Sequence, residues 1–480
     1  MSKEAALSLL VLSLSAAARA GQGAIPITCK ARTVSKVQKA QVALDNARVS
    51  EATTLLEQAV KLEPGCATAH SLLATVLPAT QAGPHVKAAL DHAAALPAAE
   101  RTQIEFVAAG FAGDNARARE LAARLVEEAP GDFRARNQLG GFALADQDYP
   151  KAIAEFSRAI EINPKATGAI NNLGYAYIGQ EKYPEAVAAF RKYAEVAPQE
   201  PNAHDSLAEA LMNAGQLAEA ESEFQKAVAL DAKFAGAWTG IAQVRLMRGN
   251  DKGAEQALSN ELGVDPRPQA KLGVEISRVY ALVAEGRSAE GYALLDQAKA
   301  RAEKLGLPLM YFADAIQARL QMREGNLEKA LSLANQSLER TTKAEKLPGG
   351  LRRGLMQGVL IEVVRANALL KKKAETEQAL AAMEEAVKPA AQVAFNASQL
   401  QNSRGMAALA AGDTAGAVRE MQKCQHNDFQ CHYELWRVQE QSGDTAGAAA
   451  TREAFLKTPL RGIEYVVLWK KLGGAPHNGG

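Results

Sequence analysis

Between residues 133 and 268 the chain repeats its pattern every 34 residues, four times over, without an insertion. Each unit has two segments of helical periodicity separated by a short polar or glycine-containing turn. One such hairpin leaves an apolar face uncovered, and stacking copies of the hairpin covers it. The period therefore predicts a chain built from stacked helical hairpins rather than from one compact core.

The spacing within a unit has a simple packing logic, which the second unit illustrates. Leu173 and the small Gly174 lie on its first helix, and Ala186 and Phe190 lie one turn apart on one face of its second helix. The small residues let the two helices approach closely, while the large ones fill the space between them. Pro198 ends the second helix because proline cannot continue it.

The recurring residues are Leu139, Gly140, Tyr149, Ala152, Phe156, Ala159 and Pro164 in the first unit, Leu173, Gly174, Tyr183, Ala186, Phe190 and Pro198 in the second, Leu207, Ala208, Ala220, Phe224 and Ala227 in the third, and Trp238, Ile241, Ala242, Ala254, Leu258 and Pro266 in the fourth. This pattern closely resembles the tetratricopeptide repeat (TPR) family, and residues 85–266 are similar to arrays of bacterial type. The resemblance implies an all-α fold, a right-handed α-solenoid of antiparallel helix hairpins.

Outside the four clear units the hairpin pattern continues in weaker form. We expect degenerate hairpins over residues 21–132 and irregular hairpins over 269–472, about twelve in all. Residues 463–472 (IEYVVLWKKL) predict a closing helix with one apolar side. Residues 473–480 are expected to be a disordered tail.

The N-terminus has the features of a secretory signal peptide. Lys3 precedes an apolar stretch over residues 5–18, and Ala18-Arg19-Ala20 fits a cleavage site that would make Gly21 the new N-terminus. We therefore assign residues 1–20 to a signal peptide and expect export to the periplasm or the extracellular space. The apolar stretch is too short for a comfortable membrane span, and no other segment is long and apolar enough.

Charge and motifs restrict the function. The 55 basic and 54 acidic residues nearly cancel, so nothing in the balance favours a nucleic-acid partner. No phosphate-binding loop, nucleophile elbow, zinc-protease motif or calcium loop is present, and we expect no cofactor and no catalysis. Two other interpretations stay open: a cytosolic regulatory array within a signalling complex, and an enzyme with an unrecognised site in residues 270–428.

Four cysteines follow the leader, an even number that suits an exported protein. Cys424 and Cys431 would lie at neighbouring helix ends in a TPR stack, and a disulfide between them is the first interpretation. Two buried thiols are the second, and a metal site with His426 and His432 is the third, because the spacing matches no standard zinc pattern. A disulfide between Cys29 and Cys66 is also open.

The resemblance implies that the first helix of each hairpin lines a concave inner face that binds partner proteins or peptides. Amide side chains there can donate to and accept from a peptide backbone without choosing a sequence. The candidate partner-binding residues are Asn137, Asn171, Asn172, Tyr175, Asn202, Asp205, Glu209, Asn213 and Gln243. We expect Asn137 and Asn171, which have the same phase in successive repeats, to begin a ladder of amides. Solvated helix faces with no partner are the alternative interpretation.

One specific TPR function does not fit these residues. TPR domains that grip the C-termini of chaperones hold the terminal carboxylate with a clamp of Lys, Arg and Asn. The corresponding residues here are Asn137, Gly141, Asn172, Asn202 and Ser206, of which only Asn172 matches. Without the cations a terminal carboxylate has no charge partner, so a chaperone clamp is rejected. The sequence names neither the partner nor the oligomeric state.

Overall fold

The computed structural model describes residues 23–45, 48–264, 267–345, 347–388, 394–425, 428–457 and 462–473. In these ranges the regular secondary structure consists of 25 α-helices and no strand, which confirms the all-α solenoid expected from the repeat. The proposed leader and its cleavage site, as well as His426, Pro266 and residues 474–480 of the tail, lie outside the described residues.

The chain divides into two compact units, residues 1–210 and residues 211–480. Unit 1 contains α1 (Ala31–Asp45), α2 (Val49–Leu62), α3 (Ala67–Val76), α4 (Ala79–Asp91), α5 (Ala98–Phe111), α6 (Asn115–Glu128), α7 (Phe133–Ala145), α8 (Tyr149–Ile162), α9 (Thr167–Gly179) and α10 (Tyr183–Val196). Helix α11 (Pro201–Asn213) spans the limit between the units. Consecutive helices of unit 1 pack as the five hairpins α1/α2 to α9/α10.

Unit 2 continues with α12 (Leu217–Leu230), α13 (Ala235–Met247), α14 (Asp251–Leu262), α15 (Pro268–Ala284), α16 (Ser288–Leu305), α17 (Leu309–Arg323), α18 (Leu327–Thr342), α19 (Gly349–Leu369), α20 (Lys373–Val387), α21 (Ala394–Ala410), α22 (Thr414–Met421), α23 (Phe429–Ser442), α24 (Thr445–Lys457) and α25 (Gly462–Lys471). Helices α13 to α24 pack as six hairpins. The last helix, α25, instead packs against α13 and α15, near the other end of the unit.

The short turns inside the hairpins require one residue in the left-handed region of the backbone. Glycine occupies that place in several hairpins, as at Gly215 and Gly249 with φ of 79° and 74°. Gln147 and Glu181 occupy it in α7/α8 and α9/α10, with φ of 61° and 59°. A side chain is strained in this conformation and glycine is not, so these two turns carry strain that the glycine turns avoid.

An extended segment precedes the first helix of unit 1, and we call residues 24–30 the strap. Its backbone N–H groups donate to carboxylates at the starts of the inner helices: Ile25 to Asp132 Oδ2 at 3.2 Å, and Thr28 to Glu100 Oε1 at 2.9 Å. A disulfide joins Cys29 of the strap to Cys66, the residue before α3, with a Cα–Cα distance of 5.5 Å. The strap is therefore held along unit 1 both covalently and by hydrogen bonds.

The second cysteine pair, Cys424 and Cys431, also forms a disulfide, with a Cα–Cα distance of 6.5 Å. It links the turn after α22 to the first turn of α23, two neighbouring helix ends. Among the described residues, no group of three or more His, Cys, Asp or Glu side chains is arranged to hold a metal ion. Nor does any helix in the described ranges combine the length and apolar character that crossing a membrane demands.

Candidate functional site

The first helices of three successive hairpins, α7, α9 and α11, carry a connected set of polar side chains. Asn172 Nδ2 donates to Asn137 Oδ1 at 3.1 Å, and Ser206 Oγ donates to Asn171 Oδ1 at 3.1 Å. The partners lie 35 residues apart in both pairs, about one repeat. The set Asn137, Asn171, Asn172, Tyr175 and Ser206 is called the amide row below.

The row differs from the expected ladder. Asn137 and Asn171 have the same phase in their repeats, but Asn137 bonds to Asn172 instead. Asn171 bonds forward to Ser206 on the next inner helix. The repeat that contains Asn171 and Asn172 therefore uses Asn172 to bond the preceding inner helix and Asn171 to bond the following one.

These contacts leave hydrogen-bonding groups available in the row. Asn137 accepts through Oδ1 in the first pair, and Asn171 accepts through Oδ1 in the second. The amide nitrogens of Asn137 and Asn171 donate no hydrogen bond to the described residues. Both side chains are half-buried at the surface. An asparagine amide offers two N–H donors, so the row can donate to the carbonyls of a bound chain.

Tyr175 has a structural role in addition to its place in the row. Its ring packs edge-on against Phe190, with ring centroids 5.1 Å apart, and Phe190 is fully buried between the helices of the hairpin. Its hydroxyl lies 3.2 Å from Ser206 Oγ and donates to Glu209 Oε2 at 3.2 Å. Burial and the nearby Glu209 carboxylate raise the pKa of Tyr175 well above its usual range. The ring of Tyr175 therefore takes part in the packing of the hairpin, while its hydroxyl lies in the row.

Asp205 lies one turn before Glu209 on α11. Its Oδ1 atom is buried and has no hydrogen-bond partner among the described residues. Burial, with a smaller contribution from the charge of Glu209, raises the pKa of Asp205 to about 7. Near neutral pH this side chain can therefore either accept a hydrogen bond or, once protonated, donate one.

The remaining candidates have different environments. Asn202 Nδ2 donates to Tyr193 OH at 3.4 Å on the preceding helix. Asn213 is half-buried at the end of α11, in unit 2. Gln243 is only 7% exposed, so its side chain offers almost no surface to a partner in this structure. It lies on α13, one of the helices against which α25 packs.

Helix α25 is held in unit 2 by an ionic cluster that the sequence did not indicate. Glu464 accepts from Arg319 Nη1 at 3.1 Å and from Gln430 Nε2 at 2.6 Å, and it pairs with Arg323. Arg319 also pairs with the fully buried Glu362 at 2.7 Å. The partners of Glu464 lie on α17 and α23, both first helices of their hairpins.

Apolar contacts hold the same helix. Tyr465 is 1% exposed, stacks on Phe455 at a centroid distance of 4.9 Å and meets Phe429 edge-on at 5.7 Å. Val466 and Leu468 are fully buried. Helix α25 thus packs on α13 and α15 and contacts side chains of α17 and α23. Part of the surface that would correspond to the amide row in unit 2 is therefore occupied by the chain itself.

Comparison with protein families places this architecture in context. A family model described as "Tetratricopeptide repeat" matches residues 143–210, and a second model with the same description matches residues 37–102, 105–167 and 206–270. These matches include the degenerate hairpins before residue 133. No curated protein sequence matches the chain at a significant level.

Several solved structures are similar to parts of the chain. A tetratricopeptide repeat protein from Parabacteroides merdae is 15% identical with a TM-score of 0.42, and the match covers 55% of this chain and 98% of that one. TTC0263, a TPR protein of Thermus thermophilus, is 19% identical with a TM-score of 0.33, covering 39% and 100% of the two chains. MamA from Desulfovibrio magneticus is 18% identical with a TM-score of 0.33, covering 35% and 94%.

Proposed function

The chain belongs to the tetratricopeptide repeat family of protein-interaction scaffolds, and we propose that it is an exported, non-catalytic scaffold that binds an extended segment of a partner protein along the amide row of unit 1. The observation that carries the proposal is the pair of amide nitrogens, on Asn137 and Asn171, that remain available on successive inner helices. A peptide backbone also presents its acceptors at regular intervals. Donors that repeat from helix to helix can therefore meet carbonyls along one bound segment.

The energetics favour a partner that contacts several repeats at once. One neutral hydrogen bond contributes about 0.5–1.5 kcal/mol net. A micromolar complex needs about 8 kcal/mol, so no single amide carries the binding. Because Asn172 holds Asn137 and Ser206 holds Asn171 by hydrogen bonds, both amides are positioned before a ligand arrives. Such preorganisation lowers the entropy cost of binding.

The occupied face of unit 2 supports the choice of unit 1. Helix α25 covers the inner sides of α13 and α15, and its Glu464 is paired with arginines of α17. A partner would have to displace α25 before it reached that face. The amide row in unit 1 needs no such displacement.

Two features support the export part of the proposal. The apolar stretch over residues 5–18 with its small-residue cleavage site has the form of a secretory signal. All four cysteines are paired in disulfides, which persist in oxidising compartments and are rare in the cytosol. N-terminal sequencing of the protein from its host is expected to begin at or near Gly21. Intact Met1 in a cytosolic fraction would instead favour a cytosolic regulatory array.

The binding proposal is tested first by finding the segment that lies on the row. A photo-crosslinking amino acid at Asn137 in the full chain, activated in the host, should attach to one partner segment that mass spectrometry identifies. That segment is then synthesised and titrated against purified protein. Asn137→Ala combined with Asn171→Ala should weaken binding at least about tenfold, because two donors to the segment are lost.

Tyr175 is left intact in this test because its ring packs against Phe190. The matched control is Asn115→Ala, which removes an exposed asparagine from the first turn of α6. Circular dichroism establishes that each variant is folded. A folded double variant that binds the segment as tightly as the Asn115→Ala control would show that the row is not the binding surface.

A further inference from the structure

A pocket opens in unit 1 between the strap and the inner helices α1, α3, α5 and α7. Its apolar walls are Ile25 and Pro26 from the strap, Leu72 from α3 and Ile104 from α5. Polar side chains complete the lining, among them Gln41, Gln103 and Gln138. None of the pocket residues belongs to the amide row.

The ionised groups in the lining are already paired. Glu100 accepts from the backbone and hydroxyl of Thr28, at 2.9 and 2.5 Å, and also from Thr68. Asp132 accepts from Ile25 N at 3.2 Å and caps α7. Arg134 Nε donates to Asp45 Oδ1 at 3.0 Å. The bonding positions of these side chains are largely filled by the protein, so none is left free to hold a charged ligand, and the pocket favours a neutral occupant.

Two polar atoms in the lining, by contrast, lack partners. Ser71 is 2% exposed, and its Oγ atom has no hydrogen-bond partner among the described residues. The Oε1 atom of Gln138 is also buried without a partner there. Buried polar atoms of native proteins are nearly always satisfied, by the protein, by water or by a ligand. The two unmet atoms beside the apolar walls therefore mark where the polar atoms of a bound group would find partners.

We propose that this pocket is a binding site for a neutral, amide-bearing group with an aliphatic body. The amide N–H would donate to Gln138 Oε1, and its carbonyl would accept from the Ser71 hydroxyl. The aliphatic part would pack between Ile25, Leu72 and Ile104. A single neutral amide supplies a donor and an acceptor on neighbouring atoms. A leucine residue within a peptide and a free acyl-amino-acid amide share this chemistry.

The site goes beyond the proposed function, because a partner can lie on the amide row whether or not this pocket is filled. The two are tested with different probes and different variants. Loss of binding in the Asn137 and Asn171 variants therefore says nothing about the pocket.

The test uses the full chain and two probes, N-acetyl-leucine methylamide and the capped pentapeptide acetyl-Ala-Ala-Leu-Ala-Ala-amide. Binding is followed by saturation-transfer NMR and by titration. N-acetyl-lysine methylamide and N-acetyl-glutamate methylamide are the charged controls, and neither should bind. Binding of the small amide alone identifies a free ligand as the source, whereas tighter binding of the pentapeptide identifies a peptide chain.

Gln138→Leu keeps the size of the side chain but removes the acceptor, and it should weaken probe binding about tenfold. The matched control is Gln81→Leu, which makes the same change at an exposed position of α4. Should Gln138→Leu fail to fold, Ile25→Trp fills the pocket from the strap without altering a helix, and it should abolish binding. The proposal is overturned if neither leucine probe binds the wild-type chain, if the charged probes bind equally, or if a folded Gln138→Leu binds as the control does.

Discussion

Gly174 on α9 lies so close to the ring of Phe190 that a Cβ atom there would be 2.4 Å from Phe190 Cζ. Phe190 is fully buried and also contacts Tyr175, so its ring has no room to move away. Glycine at this place is therefore required by the packing of the hairpin. Gly174 lies within helix α9, so the backbone freedom of glycine is not the reason for its presence.

Gly174→Ala should destabilise the α9/α10 hairpin by about 1–3 kcal/mol, the usual cost of overpacking a core. The clash outweighs the roughly 1 kcal/mol that alanine gains over glycine in a helix. Hydrogen exchange should show the loss mainly in α9, α10 and their neighbours, because repeats contact only their neighbours. The control is Gly141→Ala on α7, where an added Cβ meets no atom within 4 Å and stability should rise slightly. Equal effects of the two substitutions would contradict the close approach of Gly174 to the ring of Phe190.

Glu181→Gly should stabilise the turn between α9 and α10. The φ of Glu181 is 59°, a conformation that costs a residue with a side chain about 1 kcal/mol more than it costs glycine. Thermal unfolding or hydrogen exchange of α9 and α10 should show a gain of about that size. Glu181→Ala removes the same carboxylate but keeps the Cβ atom, so it should give no gain. A similar gain in both variants would mean that the charge of Glu181, and not backbone strain, lowers the stability of this turn.

Glu464→Gln should release α25 from unit 2. Removing one member of a buried ion pair leaves Arg323 without its carboxylate and Arg319 with Glu362 as its remaining partner, and it costs about 3–5 kcal/mol. Trp469, now 7% exposed, should become solvated, with a red shift in fluorescence and new tryptic cleavage at Lys470 or Lys471. Glu440→Gln, at an exposed site on α23, is the control and should leave the spectrum unchanged. Protection of α25 equal to that of wild type would show that apolar packing alone holds it.

Acid should release the same helix. Burial alone would raise the pKa of Glu464, but the charges of Arg319 and Arg323 outweigh it and lower the pKa to about 2. A carboxylate with a depressed folded pKa stabilises the protein above its unfolded pKa, near 4.3, and this contribution is lost as pH falls towards 2. Trp469 fluorescence should therefore change between about pH 4 and pH 2 in wild type. That change should be absent from Glu464→Gln, in which no carboxylate titrates at this position.

The contribution of Asp205 to stability should change with pH in the opposite direction to that of Glu464. Burial and Glu209 raise its pKa to about 7, so the folded chain binds a proton that the unfolded chain, with a pKa near 3.9, releases. Its contribution to stability is full below about pH 4 and is lost as pH rises to 7. Asp205→Asn should therefore gain about 1–3 kcal/mol at pH 8 and little at pH 4. The exposed control Glu127→Gln should show no such pH-dependent gain, and an equal response of both would exclude Asp205 as the source.

Much of the hairpin fold was predictable from local spacing. Ala186, Phe190 and Pro198 act within one repeat, and the glycines at turns such as Gly215 and Gly249 have the positive φ that their turns require. The cysteines at 424 and 431 are close because they end and begin adjacent elements. Contacts of this kind span few residues, so a period of 34 residues is enough to specify them.

The candidate site was only partly predictable. The inner helices that carry Asn137, Asn171 and Asn172 follow from the repeat, but the pairing of Asn137 with Asn172 does not. Both amides of the Asn171-Asn172 pair bond a neighbouring helix, and the rotation between repeats decides which of them meets the preceding helix. Tyr175 was likewise assigned to the surface because its contact with Phe190 depends on a side-chain direction that spacing alone does not give.

By itself, the sequence determined that this chain is a stack of helical hairpins, and its resemblance to the TPR family implied which helix of each hairpin lines the inner face. Only the tertiary structure decided which inner surfaces remain open. Arg319 meets Glu464 across 145 residues, and Thr28 meets Glu100 across 72. Such contacts depend on small rotations that accumulate over many repeats, and no repeat period encodes their sum. For that reason the burial of Gln243 beside α25 and the pocket beside the strap were visible only in the folded chain.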